Sequence, residues 1–274
     1  MEDFFGIGGY TREPEGYLSF EHILFVTLII IAMIAAAVII GSRYAKPDKT
    51  DKQRKKVLIV CAVLLDSLEI FRIVFICIRE NNPMQWLIML PLFLCSLHII
   101  ALPAVAFLKG RALEVIYDFI FIFGILSAIM GMYGAGNIYS INPVLSFDTV
   151  TSALTHAIPG FCSLYIGISG LMSMKKKNIP LTFLIITFFC ALAYIVNVLI
   201  DYNYMFLMRG DGTPYDILYN LFDGNKVLYP LSVVVLFYIY IAVFYFVTIT
   251  VRKALNKRKA AKETQEQKIL QKNS

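Results

Sequence analysis

The stretch that decides the fold is LPLFLCSLHII, which runs from Leu90 to Ile100. It lies in the middle of an apolar run and still carries a proline, a thiol, a hydroxyl and an imidazole. Polar groups at membrane depth are costly, and they usually face the interior of a helix bundle. We therefore expect the other helices to enclose Cys95 and His98, which share one helix face by their i, i+3 spacing.

The composition around this stretch is that of a membrane protein. Of the 274 residues 58% are hydrophobic and only 16% are charged, and the mean hydropathy is +0.70. Each apolar run is close to the roughly 20 residues that a helix needs to cross a bilayer. The runs are 18–41, 57–78, 84–108, 115–133, 150–172, 180–200 and 227–251. The sequence therefore predicts an all-α, polytopic membrane helix bundle with seven transmembrane helices.

The positive charges predict the orientation of this bundle. Twenty of the 25 Lys and Arg residues lie in alternate connections and in the C-terminal tail. Cytoplasmic loops carry such an excess, so we expect the N-terminus outside and the C-terminus in the cytoplasm. The predicted organisation is an external segment 1–17, a transmembrane domain 18–251 and a basic cytoplasmic tail 252–274. The acidic N-terminus and the spanning length of the first run argue against a cleavable signal peptide.

The net charge of +6 comes from the Lys and Arg residues of these connections and of the C-terminal tail. We interpret it as a topology signal and as attraction of the basic tail to anionic inner-leaflet lipid, and not as a sign of nucleic-acid binding. All five cysteines fall in predicted spans, so no external disulfide framework is expected. The last span has no lysine for a retinal Schiff base, which argues against a rhodopsin-type photoreceptor.

The second span carries three charges on one broad helix face, Asp66, Glu69 and Arg72. Charged residues inside a span mostly face the bundle interior and pair with one another. A neutral structural triad and a direct functional role both remain open, and both place these side chains inside. Glu21 and His22, at the outer end of the first span, are interpreted as an interfacial pair facing water.

Polar residues also mark the third, fifth and sixth spans. In the third span, Pro91 and Pro103 remove backbone donors and open the helix locally. The fifth span has a polar stripe at helical spacing, composed of Ser152, His156, Pro159 and Ser163. The sixth span ends in a cluster of Asn197, Asp201 and Asn203. With a rise of about 1.5 Å per residue, these groups reach overlapping depths, which predicts a polar chamber in the outer half of the bundle.

Two kinds of chemistry fit the chamber. A buried thiol needs a base or a cation nearby, so Cys95 with His156 or His98 could form a nucleophile–base pair for acyl transfer from a membrane phospholipid. Asn197, Ser96 or freed backbone would then supply the oxyanion donors. The rival is a zinc set of Cys95, His98, His156 and Glu69, but a C-x-x-H spacing alone is weak evidence for it. We therefore predict no metal and no cofactor.

A small-solute transporter or a lipid-binding receptor without catalysis is the non-enzymatic alternative. In that reading the buried charges line a pathway. The halves of the chain show no obvious inverted repeat, which disfavours common transporter designs.

Three motifs together resemble the YwaF-like bacterial integral membrane family. They are LPLFLC at Leu90 to Cys95, the His156 region, and NYMFLMRGDGTP at Asn203 to Pro214 followed by Tyr229 and Pro230. That family is distantly similar to animal transmembrane proteins described as cysteine-dependent phospholipid acyltransferases. The resemblance implies a multi-pass protein of the bacterial cytoplasmic membrane.

Carried over by position, the family's cysteine corresponds to Cys95 and its histidine to His156. The Asn and Tyr of its sixth-span signature correspond to Asn203 and Tyr204. Members often have a histidine two places before the cysteine, where this chain has Phe93. His98 could replace that imidazole from the next turn. The resemblance therefore implies Cys95 and His156 as catalytic residues. Substrate-binding or supporting roles are expected for Glu69, Arg72, His98, Asn197, Asn203 and Tyr204.

Overall fold

The computed structural model describes residues 2–272, with side-chain environments for residues 2–257. The protein is all-α, 73% helical, and the described residues contain no strand. Its helices are α1 (Glu2–Phe5), α2 (Phe20–Tyr44), α3 (Asp51–Arg79), α4 (His98–Phe107), α5 (Gly110–Met132), α6 (Gly136–Tyr139), α7 (Phe147–Ser169), α8 (Ile179–Ile200), α9 (Asp216–Leu221) and α10 (Leu228–Lys272).

Within the described residues, four segments are both long and apolar enough to cross a membrane. They are Phe20–Tyr44, Gly110–Tyr139, Lys176–Ile200 and Leu228–Lys257. Many large apolar side chains of α2, α8 and α10 are exposed on the outside of the bundle, as expected of surfaces that contact lipid. The prediction of a multi-pass helical membrane protein is confirmed.

Two further helices are long but more polar. α3 has 29 residues and α7 has 23. At about 1.5 Å per residue these lengths are about 43 and 34 Å, which exceeds the roughly 30 Å hydrocarbon core. Some of their polar residues face inward, because the buried stripe of α3 includes Glu69 and that of α7 includes Ser152 and Ser163.

The third apolar run does not form the continuous helix predicted for 84–108. It contains a 3-10 helix at Gln85–Met89, an irregular stretch, and then α4, which has only 10 residues. The physical reason is Pro91, which disfavours a helical conformation in the preceding residue. Leu90 is accordingly extended, with φ −60 and ψ 148. Non-helical backbone at membrane depth is tolerated where protein covers it or where it lines a cavity.

The closely packed pair of α5 and α7 forms the centre of the bundle. It makes the most extensive helix contact, and α2 and α3 pack on α7 while α4 and α8 pack on α5. Small residues permit this approach: a methyl group at Gly131 would overlap the ring of His156, and one at Gly124 would meet the Pro159 carbonyl. Ser163 donates a hydrogen bond of 2.5 Å to the Phe121 carbonyl of α5.

The interpretation of His22 as a water-facing residue is wrong. Its side chain is fully buried and stacks on Tyr139 with ring centroids 3.9 Å apart. Its two ring nitrogens lie 3.1 Å from the Leu18 N–H and from the Met132 carbonyl oxygen. Tertiary contacts with the segment after α5 cover the imidazole, whereas the neighbouring Glu21 stays exposed.

Candidate functional site

A buried ion pair lies on the inner face of α3. Arg72 donates two hydrogen bonds to the Glu69 carboxylate, from Nε at 2.9 Å and from Nη2 at 2.5 Å. The two side chains are 22% and 7% exposed. A buried charge pair costs desolvation energy and persists when its geometry is good, as in this bidentate arrangement.

Asp66 does not join this pair to form the triad considered from the sequence. It is partly buried, and its Oδ1 has no hydrogen-bond partner among the described residues. Asp66 and Glu69 have the same i, i+3 spacing as Glu69 and Arg72, but both carboxylate oxygens of Glu69 accept from Arg72, and the two acidic side chains cannot attract each other.

Cys95 lies in a turn from Phe93 to Leu97 that leads into α4. The Leu97 N–H donates to the Phe93 carbonyl at 3.1 Å, which is a helical bond, and Ser96 Oγ accepts from the Phe93 N–H at 3.0 Å. This is a single helical turn that precedes α4, which begins at His98 with Leu97 as its N-cap. The first N–H groups of a helix have no partner within the helix.

Three backbone N–H groups of this turn, those of Leu94, Cys95 and Ser96, donate to no oxygen acceptor within the part of the chain that the structure describes. The N–H groups of Cys95 and Ser96 lie near the cysteine sulfur. Unbonded N–H groups at a helix N-terminus attract anions and stabilise a thiolate.

His98 follows one turn later and is fully buried. Its Nδ1 lies 2.9 Å from the Cys95 carbonyl oxygen, so the ring holds the backbone of the cysteine turn. Its Nε2 has no partner among the described residues, and its ring packs against Phe119 at 6.3 Å. The predicted shared helix face is not what brings Cys95 and His98 together, because α4 begins only at His98 and the contact is made through the cysteine backbone.

His156 is held in one tautomer by α7 itself. Its Nδ1 lies 2.6 Å from the Ser152 carbonyl oxygen, one turn earlier. Because a carbonyl can only accept, Nδ1 must carry the proton, and Nε2 keeps a lone pair. An imidazole in this tautomer, with its orientation set by a second group, is suited to act as a general base.

Cys95 and His156 share neighbours but do not touch. No hydrogen bond joins them, and the charges of Glu69 and Arg72 act on both. His98 in turn is within electrostatic reach of His156. Cys95 and His156 are each partly exposed, and neither is fully buried.

The sixth-span residues form a separate network at the end of α8. Asn197 accepts from the Tyr204 N–H at 2.6 Å and donates to its carbonyl at 3.0 Å. Asn203 fastens the following loop, because it donates to the Arg209 carbonyl and to Asp211 and accepts from the Met208 N–H.

Tyr204 connects this network to the cysteine segment. Its hydroxyl donates to the Leu87 carbonyl at 2.6 Å and accepts from the Leu90 N–H at 3.0 Å. Its ring also packs against Phe93 with centroids 5.1 Å apart. Phe93 therefore contributes an apolar contact at the place where related proteins often have histidine.

Two side chains considered as oxyanion donors are already engaged. The Asn197 amide is bonded to Tyr204, and the Ser96 hydroxyl donates to the Phe93 carbonyl at 3.0 Å. The unbonded backbone N–H groups at Leu94 to Ser96 remain as donors. Two residues in the sequence point to these N–H donors. Pro91 interrupts the helix before them, and the hydroxyl of Ser96 can bond to the backbone three residues earlier.

The zinc set considered from the sequence does not form. Residues 2–257 contain no group of three or more His, Cys, Asp and Glu side chains arranged to hold a metal ion. Glu69 instead uses both carboxylate oxygens on Arg72.

The N-terminal segment contacts the bundle where α3 ends and α7 begins. Arg79, at the end of α3, donates to Asp148 of α7 at 2.7 Å and to the Phe5 carbonyl at 3.1 Å. Tyr10 donates to the same carboxylate. Burial raises the pKa of Tyr10, and the bond to Asp148 adds to the rise. Burial alone would lower the pKa of Arg79, but its contacts with Asp148 outweigh this and raise it.

Comparison with known proteins agrees with this architecture. No curated protein and no solved structure matches the sequence. The TMEM164 family matches residues 17–250. This range includes all seven predicted spans, apart from residue 251 at the end of the last one. The chain is therefore a multi-pass membrane protein that belongs to the TMEM164 family.

Proposed function

We propose that this protein transfers or removes acyl chains of membrane phospholipids, with Cys95 as the nucleophile and His156 as the base. The observation that carries the proposal is the position of Cys95 in a single helical turn that leads into α4. The backbone N–H groups of Leu94, Cys95 and Ser96 in this turn have no oxygen acceptor among the described residues, and Cys95 is partly exposed. Such donors can stabilise both a thiolate and the oxyanion of a tetrahedral intermediate.

In the first half-reaction, Nε2 of His156 receives the thiol proton and the sulfur attacks an ester carbonyl of the lipid. A carbon–sulfur bond forms, and the oxyanion is held by the N–H groups at Leu94 to Ser96. The ester carbon–oxygen bond then breaks, and the lysophospholipid oxygen leaves with the proton from His156. The product is a thioester on Cys95.

In the second half-reaction, the hydroxyl of a lysolipid or of water gives its proton to His156 and attacks the thioester. The carbon–sulfur bond breaks, and the sulfur recovers the proton. A lysolipid acceptor gives acyl transfer, and water gives deacylation. The same base and the same N–H donors serve both steps.

The remaining site residues support these steps. Glu69 and Arg72 place a negative and a positive charge within electrostatic reach of both reacting groups, where Arg72 can attract the lipid phosphate. His98 holds the cysteine turn through the Cys95 carbonyl. Three further residues act without touching Cys95. Tyr204 fixes the segment that precedes the cysteine, and Asn197 holds the backbone of Tyr204. Asn203 fastens the loop that follows Tyr204.

We further propose the predicted topology for this family member. It has seven crossings, of which the third is the broken segment 84–108, with residues 1–17 outside and residues 252–274 in the cytoplasm at anionic inner-leaflet lipid. The positive-inside distribution of Lys and Arg supports this orientation. The resemblance to YwaF-like proteins supports a bacterial cytoplasmic membrane as its location.

The test compares Cys95→Ala and His156→Ala with the wild-type protein in lipid nanodiscs. The substrate is phosphatidylcholine with a labelled acyl chain, offered with and without lysophospholipid. We expect label on the wild-type protein as a hydroxylamine-sensitive thioester at Cys95, and at least a hundredfold lower turnover in both variants.

Cys190→Ala is the matched control, because Cys190 is a buried thiol that contacts Met205 in the core. Undiminished turnover in Cys95→Ala would overturn the mechanism. Absence of any acyl turnover, together with substrate flux in liposomes that survives Cys95→Ala, would favour the transporter alternative.

A further inference from the structure

A large apolar groove lies on the other side of α7 from His156. It is bounded by α2, α3 and α7 and has a volume of about 870 Å³. It is lined by Ile29, Ala32, Met33, Ala36, Ile40, Arg43, Tyr44, Lys49, Gln53, Val57, Val60, Cys61, Leu64, Leu154, Ala157, Ile158 and Phe161. This volume is within the range of roughly 300 to 1,000 Å³ that small-molecule sites occupy.

The packing of the bundle creates this groove. α2 and α3 each pack on α7 rather than on each other, so a gap stays open between them along part of their length. Small residues widen it on the α2 side, where Ala32 and Ala36 lie one turn apart. At these two positions the α2 wall has no bulky side chain that would close the gap as in a tightly packed core.

The groove covers only part of the membrane thickness. Its α2 wall extends from Ile29 to Arg43, which at 1.5 Å per residue is about 21 Å. A complete transmembrane helix of a partner protein would need to match about 30 Å of hydrocarbon. A groove that ends near the bilayer centre instead fits the hydrocarbon chains of one leaflet together with their headgroup.

The mouth of the groove is basic. Arg43 and Lys49 line it at the end that the positive-inside distribution assigns to the cytoplasm. Arg43 has no ion-pair partner in the described part of the chain, and Lys49 lies 3.1 Å from the exposed Asp48. Cationic side chains at this level attract anionic lipid headgroups of the inner leaflet.

We infer that the groove is a binding site for an anionic phospholipid of the cytoplasmic leaflet. Its phosphate lies at Arg43 and Lys49, and its acyl chain runs between α2 and α3 to the level of Leu64 and Leu154. His156 faces Gly131 of α5 on the opposite side of α7, so this site is distinct from the proposed acyl-transfer site. The inference therefore does not depend on the proposed function.

Native mass spectrometry of the purified protein tests the inference. The protein is incubated in detergent with equal amounts of phosphatidylglycerol and phosphatidylcholine, and the retained lipids are counted. We expect the wild-type protein to retain one phosphatidylglycerol molecule in preference to phosphatidylcholine. Ala36→Trp should fill the groove, and this variant should therefore no longer retain the phosphatidylglycerol molecule. Ala35→Trp is the matched control, because Ala35 is an exposed residue of α2 outside the groove.

A pair of charge variants keeps the test informative if Ala36→Trp fails to fold. Arg43→Gln with Lys49→Gln should reduce the preference for phosphatidylglycerol roughly tenfold. Lys52→Gln with Lys56→Gln removes two exposed charges outside the groove and should leave the preference unchanged. Equal retention of both lipids by the wild-type protein, or equal loss in both charge variants, would overturn the inference.

Discussion

The imidazole of His156 lies directly over the α-carbon of Gly131, at the point where α7 crosses α5. A methyl group on Gly131 would occupy the position of the ring. The glycine therefore decides where the imidazole can lie, while the Ser152 carbonyl decides which of its nitrogens carries the proton.

The first prediction concerns this contact. Gly131→Ala should move His156 and separate α5 from α7, because the ring cannot share the space with a new methyl group. Overpacking of this kind costs about 1 to 3 kcal/mol of folding free energy. We expect a lower midpoint of thermal unfolding in detergent and a lower acyl turnover than that of the wild-type protein.

Gly136→Ala is the control for this change. The nearest atoms to an added methyl group there belong to the Tyr17 ring, at 3.6 Å, which is ordinary van der Waals contact. If Gly131→Ala unfolded at the same temperature as Gly136→Ala and kept full turnover, the packing described here would be wrong.

The second prediction concerns the ion pair of Glu69 and Arg72. Arg72→Met leaves the Glu69 carboxylate buried without a partner, which for a buried pair costs about 3 to 5 kcal/mol. The double variant Glu69→Leu with Arg72→Met removes both charges and should be more stable than the single variant. Thermal unfolding of the wild-type protein, both single variants and the double variant measures this coupling.

Turnover separates a structural role of the pair from a functional one. If the charges attract the lipid headgroup and act on Cys95 and His156, the double variant stays folded but loses activity. Recovery of stability together with full activity would show that the pair is structural only. A double variant less stable than either single variant would contradict the ion-pair geometry itself.

The third prediction concerns the connection between the Tyr204 hydroxyl and the segment before Cys95. Tyr204→Phe leaves the Leu87 carbonyl and the Leu90 N–H without their partner. Unsatisfied buried groups cost about 1 to 3 kcal/mol. We expect faster amide hydrogen exchange from Leu87 to Ser96, measured by mass spectrometry, and lower turnover with little change in substrate affinity.

Tyr202→Phe is the matched control. Tyr202 packs on the ring of Tyr204 at 4.7 Å, and its hydroxyl makes no hydrogen bond within the described residues. Tyr202→Phe should leave amide hydrogen exchange from Leu87 to Ser96 unchanged. The same exchange rate in both variants would argue against a positioning role of Tyr204.

The broken third segment shows how far sequence reasoning reached. Pro91 indicated a local opening of the helix, and the structure has an extended residue at Leu90. The extent of the break was not predicted, because apolar composition alone does not distinguish a continuous helix from a short helix that protein covers. His22 illustrates the same limit, since its burial depends on Tyr139, more than 100 residues later in the chain.

Hydropathy and charge along the chain were enough to predict a multi-pass helical membrane protein, and the residues Cys95, His98, Glu69, Arg72 and His156 could be identified from the sequence as residues in need of partners. Hydropathy, charge distribution and helical spacing are local properties, so they can be read along the chain. Only the tertiary structure decided the bidentate ion pair, the tautomer of His156, the unbonded N–H groups at Cys95 and the groove between α2 and α3. Each of these depends on atoms that packing brings together from distant positions or on a helix boundary that packing sets.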